Sequence, residues 1–147
     1  VIDILQLKKL DFWKKRRTSN AIKIIKTCNK FSECIRTAPL PKYIEHAWYR
    51  CTIYIKLHKL KINWNRDRII NEINKLGIPC FIGSCPEVYK EKVVKKYGRQ
   101  PLQNLKNAEH LGKSSIAFLV HPNLTKNDID RTCGAISKVM LKAKKNL

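Results

Sequence analysis

The chain has 147 residues, a formal net charge of +20, 44% hydrophobic and 8% aromatic residues. That length suits one domain with a real core, and that apolar content excludes disorder. No apolar run approaches the roughly 18 residues of a membrane span, and no basic stretch followed by an apolar one marks a signal peptide, so the cytoplasm is the expected compartment and no membrane partner is expected.

Lys and Arg number 31 against 11 Asp and Glu. Such an excess raises a phosphate-binding surface as one reading. The basic residues are nevertheless spread along the chain among Ile and Asn, with local densities at residues 14–17 and at Lys142, Lys144 and Lys145. No zinc-finger, RNA-recognition or KH signature accompanies them. The charge therefore reads first as a lysine-, isoleucine- and asparagine-rich dialect of the kind AT-rich coding gives. The six cysteines (Cys28, Cys34, Cys51, Cys80, Cys85 and Cys133) include no C-x-x-C pair. Cys80 and Cys85 with His110 and His121 do not have a recognised zinc-ligand spacing, so no metal site is expected. Small buried hydrophobes in a reducing compartment is the plainer account of the thiols.

In chain order, residues 1–29 read as one long amphipathic helix. Val1, Ile4, Leu5, Leu7 and Leu10 lead into Phe12 and Trp13, then Ala21, Ile24, Ile25 and Cys28. Val1 is already in phase, with no capping residue before it, so this helix reads as cut from something longer. The apolar positions of residues 1–13 spread over more than one face, as in a helix buried on two sides. Residues 30–45 read as a connector broken by Pro39 and Pro41. Residues 46–56 are the clearest strand, rich in aromatic and β-branched types. In it Trp48, Arg50, Thr52 and Tyr54 alternate with Tyr49, Cys51, Ile53 and Ile55, the second set being expected to face the core.

Residues 57–64 read as a polar linker. Next come a helix over 66–76, a glycine stop and a short strand. Ile69, Ile70, Ile73 and Leu76 share one face, Asn65 or Asp67 can cap the start, and Gly77 stands at the left-handed position after the helix. Pro79 pushes Ile78 to an extended conformation. Cys80, Phe81 and Ile82 are strand-like, and Gly83 and Pro86 bracket a turn holding Ser84 and Cys85. Residues 87–113 read as basic and loop-like, with one short helix near 88–96. Residues 115–120 are a buried strand and His121 opens a turn. Thr125 and Asp128 have capping-box spacing before a last helix over 126–143, whose inner stripe is Ile129, Cys133, Ile136 and Met140. These elements sum to an α+β fold: a small, mostly antiparallel sheet packed with helices and preceded by a long N-terminal helix.

Two stretches carry a resemblance. Gly77-Ile-Pro-Cys-Phe-Ile-Gly-Ser-Cys-Pro-Glu-Val-Tyr89 and Phe118-Leu-Val-His-Pro-Asn-Leu-Thr125 closely resemble the C-terminal part of the DegT/DnrJ/EryC1/StrS aminotransferases. Ile4-Leu-Gln-Leu-Lys-Lys-Leu-Asp11 looks like the helix that follows their large domain. The resemblance covers nearly the whole chain. It implies the small domain of a fold-type-I, pyridoxal-phosphate-dependent enzyme that aminates nucleotide-linked ketosugars for polysaccharides and related glycosides.

In that family the large domain carries the aldimine lysine, the aspartate under the pyridine nitrogen and the phosphate-binding turn. None of these has a counterpart among the motifs here, so residues 1–147 are expected to be a single unit without the large domain: a connecting helix at 1–29 and a small domain at 46–147. No catalytic or cofactor-binding residue and no bound pyridoxal phosphate is expected for this chain alone.

The resemblance places the Gly83-Ser84-Cys85 turn near the mouth of the substrate cleft. Ser84 becomes a candidate to hydrogen-bond a sugar or phosphate, Tyr89 a wall beside it, and His121 a further candidate contact; a plain turn serine and a turn-opening histidine are the structural alternatives. Related fold-type-I enzymes often bind the amino-acid carboxylate with a small-domain arginine. Residues 114–123 contain none, so no such role carries over.

The expected partner is a large aminotransferase domain or a full-length homologue. Ile4, Leu7, Phe12 and Trp13 are then expected to stand partly exposed in the isolated chain and to invite self-association. Two other functions remain beside this one: a stand-alone interaction module that docks on a full-length homologue, and a basic nucleic-acid-binding domain.

Overall fold

A computed structural model describes residues 2–98, 101 and 103–145. Four strands, β1 (Ile35–Thr37), β2 (Cys51–Ile55), β3 (Cys80–Ile82) and β4 (Ser115–Phe118), form one sheet in the order β1-β2-β4-β3. All three pairings are antiparallel. The helices are α1 (Ile2–Leu7), α2 (Leu10–Asn29), α3 (Arg66–Lys75), α4 (Lys92–Lys96), α5 (Lys106–Ser114) and α6 (Lys126–Ala143). This is the α+β architecture that the hydrophobic patterning implies.

The register explains the core. Phe118 lies opposite both Cys51 and Cys80, and Ile116 lies opposite Ile53. Opposed residues of an antiparallel pair point to the same side, so Cys51, Ile53, Ile55, Cys80, Ile116 and Phe118 share one face. All are buried. Helices α2, α3 and α6 cover that face with Ala21, Ile24 and Cys28, with Ile69, Ile70 and Ile73, and with Ile129, Ile136, Val139 and Met140. Each isoleucine so covered contributes on the order of 1.5–3 kcal/mol relative to exposure. Cys133 is half-buried while Thr132 and Ala135 are buried, so the inner stripe of α6 is broader than four residues.

Local signals set the helix ends. The Asn65 side chain accepts the Arg68 N–H at 2.8 Å and caps α3. Gly77 follows with φ of +74°, a backbone shape that suits glycine. Leu76 does not join the inner stripe; it is the residue at which the helix ends and is 37% exposed. At α6 the capping box is complete: Asp128 N–H donates to Thr125 Oγ1 and Thr125 N–H donates to Asp128 Oδ2.

The structure corrects four expectations. The helix over 1–29 is two helices, because the hydrogen bonding tightens at Lys9, whose N–H donates to Gln6 three residues back. Val1 lies outside the described residues. The connector over 30–45 contains β1, whose Ile35, Arg36 and Thr37 pair with Ile55, Tyr54 and Ile53. The loop-like stretch before β4 contains α5. Finally, the alternation of the second strand fails at its start: Tyr49 is 77% exposed and Trp48 is buried. Trp48 adopts φ of +50°, and this left-handed residue rotates the chain, so the regular strand begins only at Cys51.

Candidate functional site on the open sheet face

The face of the sheet turned away from the core carries a different set. Arg36, Tyr54 and Ser115 form one cross-strand row, and Thr52, Ala117 and Phe81 form the next. The Arg36 guanidinium lies 4.3 Å from the Tyr54 ring centroid. Arg50, just before β2, sits 5.4 Å from the Phe81 centroid and 5.5 Å from that of Tyr49. Such cation–aromatic contacts draw a guanidinium toward the face of a ring.

At the β3 end of this face His46, Arg50, Thr52, Gly83 and Ser84 line a hollow of about 270 Å³ floored by Ala117. Several local features position them. The Asn74 side chain at the end of α3 accepts the Cys80 N–H at 2.8 Å and donates to the Cys80 carbonyl at 3.1 Å, which fixes the outer edge of β3. Gly83 N–H then donates to the Ser115 carbonyl. Any Cβ at Gly83 would collide with the Ser115 side chain, so glycine is required for this close approach. Ser84 is thereby delivered to the rim. On the opposite rim Trp48 N–H donates to His46 Nδ1 at 2.8 Å, and the two rings lie tilted at 45° with centroids 4.3 Å apart. With Nδ1 an acceptor, the neutral imidazole carries its proton on Nε2.

The three candidate residues are not brought together. Ser84 lines the hollow. Tyr89 lies in the following 3₁₀ turn (Val88–Lys90) and donates its hydroxyl to Glu87 Oε1 at 2.8 Å, an oxygen that also takes Lys90 Nζ at 2.6 Å. Desolvation and the Glu87 contact raise the Tyr89 hydroxyl above the ordinary phenol value, while the Lys90 ammonium holds Glu87 below the ordinary carboxylate value. His121 is exposed at the opposite end of β4, six positions beyond Ser115, or roughly 20 Å along a strand. Its carbonyl accepts from Asn20 Nδ2 and from Leu124 N–H, which serves the turn into α6. Arg50 and His46 are the residues sequence reasoning passed over, although the alternation before β2 already sets Arg50 apart from the core-facing positions.

The thiols offer no nucleophile on this face. Burial pushes Cys51 and Cys80 up to about 12 and Cys34 to about 11, and raises Cys28 further. The exposed Cys85 points its Sγ at Glu91 Oε1, 3.6 Å away. Among the described residues no group of three or more His, Cys, Asp or Glu side chains converges to hold a metal ion. No helix among them is long and apolar enough to cross a membrane.

Residues 1–137 match the model of the DegT/DnrJ/EryC1/StrS aminotransferase family. The chain belongs to that family. Its solved relatives include an aminotransferase from Psychrobacter cryohalolentis, 40% identical with a TM-score of 0.88 over 93% of this chain and 36% of that one. An uncharacterized protein of Methanocaldococcus jannaschii is 29% identical over 95% of this chain and 35% of its own length. Helicobacter pylori PseC, an aminotransferase involved in the biosynthesis of pseudoaminic acid, shares the fold at 19% identity, with a TM-score of 0.78 over 94% of this chain and 35% of that chain. The DegT/DnrJ/EryC1/StrS match thus spans about a third of the length of these relatives.

The family is pyridoxal-phosphate-dependent, yet the described residues do not fit that cofactor. An aldimine lysine needs a desolvated amine, and no described lysine is buried. Lys14 and Lys90 shift the other way, raised above the ordinary value by their hydrogen bonds to Glu45 and Glu87. A helix N-terminus can bind phosphate; those of α3 and α6 are occupied by their own caps, Asn65 and Thr125 with Asp128, while those of α2 and α5 carry no side-chain cap.

Proposed function

We propose that this chain acts as the small domain of a pyridoxal-phosphate-dependent nucleotide-sugar aminotransferase of polysaccharide or glycoside biosynthesis. Its open sheet face, with Ser84 at the rim, walls a substrate cleft whose other wall and whose cofactor chemistry belong to a large domain. The observation that carries this reading is the likeness to the Psychrobacter enzyme, at 40% identity over 93% of this chain. The surface supports it. Ile4, Leu7, Leu10 and Phe12 on α1 and the start of α2 are each more than half exposed, which is apolar area that a large domain would cover.

The reading assigns the chain no transamination of its own. Transamination needs a lysine that holds the cofactor and shuttles the proton, and an acid that keeps the pyridine nitrogen protonated. Exposed lysines, mostly charged near their ordinary pKa of about 10.4, form only weak and scattered Schiff bases. The test is a pyridoxal phosphate titration with visible spectroscopy, borohydride trapping and peptide mapping. Label spread over many lysines, or none, is expected. One lysine labelled at one-to-one stoichiometry overturns the reading.

The same apolar patch favours a second reading, a stand-alone module that docks on a full-length homologue. Capture of a complete DegT/DnrJ/EryC1/StrS enzyme, lost on Leu7→Ser and Phe12→Ser, separates the two.

A further inference from the structure

We infer that the turn over residues 61–64, with the cations around it, docks on an anionic lipid surface. Lys61 N–H donates to the Ala143 carbonyl and Lys145 N–H to the Lys59 carbonyl, which ties the segment after β2 to the end of α6. Trp64 N–H donates to the Lys61 carbonyl and closes the turn. Leu60, just before it, is buried, and Arg68 holds the far side by donating to the Asn63 carbonyl at 2.8 Å. A turn clamped on both sides has little freedom to fold its tip inward. Ile62 stands at that tip and is 96% exposed, more than any other large apolar side chain among the described residues.

Positive charge surrounds the tip. Lys61, Arg68 and Lys145 line an open hollow beside Ile62, together with Asn63 and Trp64 and with no carboxylate. Among the described residues Lys59, Lys61, Lys142 and Lys145 form no ion pair, and neither does Arg68. Lys145 Nζ and the Arg68 guanidinium donate to neutral carbonyls, those of His58 and Asn63, so both keep their charge. The acid within reach of this group, Glu72, is already bonded to Lys75 at 2.7 Å. That hydrogen bond is the chief cause that lowers its carboxyl, with Arg68 and Lys142 adding to it. Glu33 is likewise paired with Lys144. Trp64 is half-buried against the core, and the Arg68 guanidinium lies 4.5 Å from its ring centroid.

The occupant follows from the combination. A lone exposed isoleucine is ordinary on a protein surface, and cations alone suit any polyanion. Here a clamped turn holds the isoleucine outward inside a ring of uncompensated cations. A phosphate backbone offers an aliphatic tip nothing to bury in, whereas a bilayer has acyl chains directly behind its phosphates. Ile62 enters the boundary between headgroups and chains, Trp64 suits the headgroup level, and the lysines reach the phosphates on their long stems. No helix among the described residues can cross a membrane. Lying against one needs only an apolar tip and cations.

The inference does not use the small-domain reading and is tested apart from it. The test is sedimentation of the full chain with vesicles of phosphatidylcholine alone, and of phosphatidylcholine with about a third phosphatidylglycerol. Binding to the second and not to the first is expected, weakening as salt rises. Ile62→Ser and Lys61→Glu, both at exposed positions, should each weaken it about tenfold. Tyr43→Ser and Lys42→Glu are matched changes at exposed positions of the connector before β2, at the opposite end of that strand. They should leave binding unchanged.

Absence of binding to the anionic vesicles overturns the inference. So does equal weakening by both pairs of variants, which would make the attraction one of net charge alone. Binding that survives Ile62→Ser and is lost on Leu7→Ser with Phe12→Ser belongs to α1 and also overturns it. A DNA duplex bound more tightly than the anionic vesicles, and equally by wild type and Ile62→Ser, assigns the cations to nucleic acid and removes the lipid surface.

Discussion

The two faces of the sheet are built from the same four strands and obey different rules. On the core side Ile53, Ile116 and Phe118 are each about 1% exposed or less, and helices α2, α3 and α6 lie over them. On the open side, among the described residues, Arg36, Arg50 and Phe81 stand exposed, and only Ser115 and Ala117 in the middle of the sheet are buried. The first face is held by apolar area removed from water. The second is held by cation–aromatic contacts and by the backbone pairing it shares with the first. Stability should therefore concentrate on one side of a sheet about one residue thick, and binding on the other.

Truncation inside the core face should give the largest effect. Phe118→Ala removes a fully buried ring between Cys51 and Cys80 and should cost about 3–5 kcal/mol of unfolding free energy, read by denaturant titration. A cost below 1 kcal/mol would mean that the face is not the main source of stability.

A middle effect is expected at the helix that covers it. Thr125→Ala removes the cap of α6 and should cost about 1 kcal/mol. The side-chain hydrogen bond from Thr125, together with its backbone N–H, lowers the Asp128 carboxyl below its ordinary value of 3.8. A depressed acid stabilises the fold above its unfolded pKa, and that contribution is lost as pH falls through the folded pKa. The difference between wild type and Thr125→Ala should thus be full at neutral pH and shrink below about pH 4. A gap that grew on acidification would contradict the cap.

The smallest effect belongs to the open face. Arg36 is exposed over Tyr54, and Arg36→Ala should cost only about 0.5–1 kcal/mol. A loss comparable to that of Phe118→Ala would erase the distinction between the faces.

The same contrast explains what could be read in advance. Core-face residues repeat with the period of their own element, so Ile69, Ile70 and Ile73 in α3 and Cys51, Ile53 and Ile55 in β2 declare themselves locally. The capping box at Thr125 and the left-handed Gly77 are equally local. Strand β1 was not legible, because its three residues owe their conformation to pairing with β2, about twenty positions away. Helix α5 was not legible either. It has no capping side chain and contains Gly112, and its support is tertiary: Arg66 donates to the Gly112 carbonyl at 2.6 Å. At the site, Ser84 showed itself as a turn residue. Arg50 showed itself only as an outward position, because its partner Phe81 is on a strand that joins it through β4, and that order is not written in any single stretch. Tyr89 and His121 share the motif with Ser84 in sequence while the fold separates them.

In the small-domain reading proposed above, these residues complete a cleft whose chemistry lies in another domain. The most direct measurement is a chimera in which this chain replaces the corresponding third of the Psychrobacter cryohalolentis aminotransferase, assayed for amino transfer with that enzyme's own substrates. A folded protein that retains measurable amino transfer is expected. A chimera that folds but transfers no amino group under conditions where the parent enzyme does would contradict the reading.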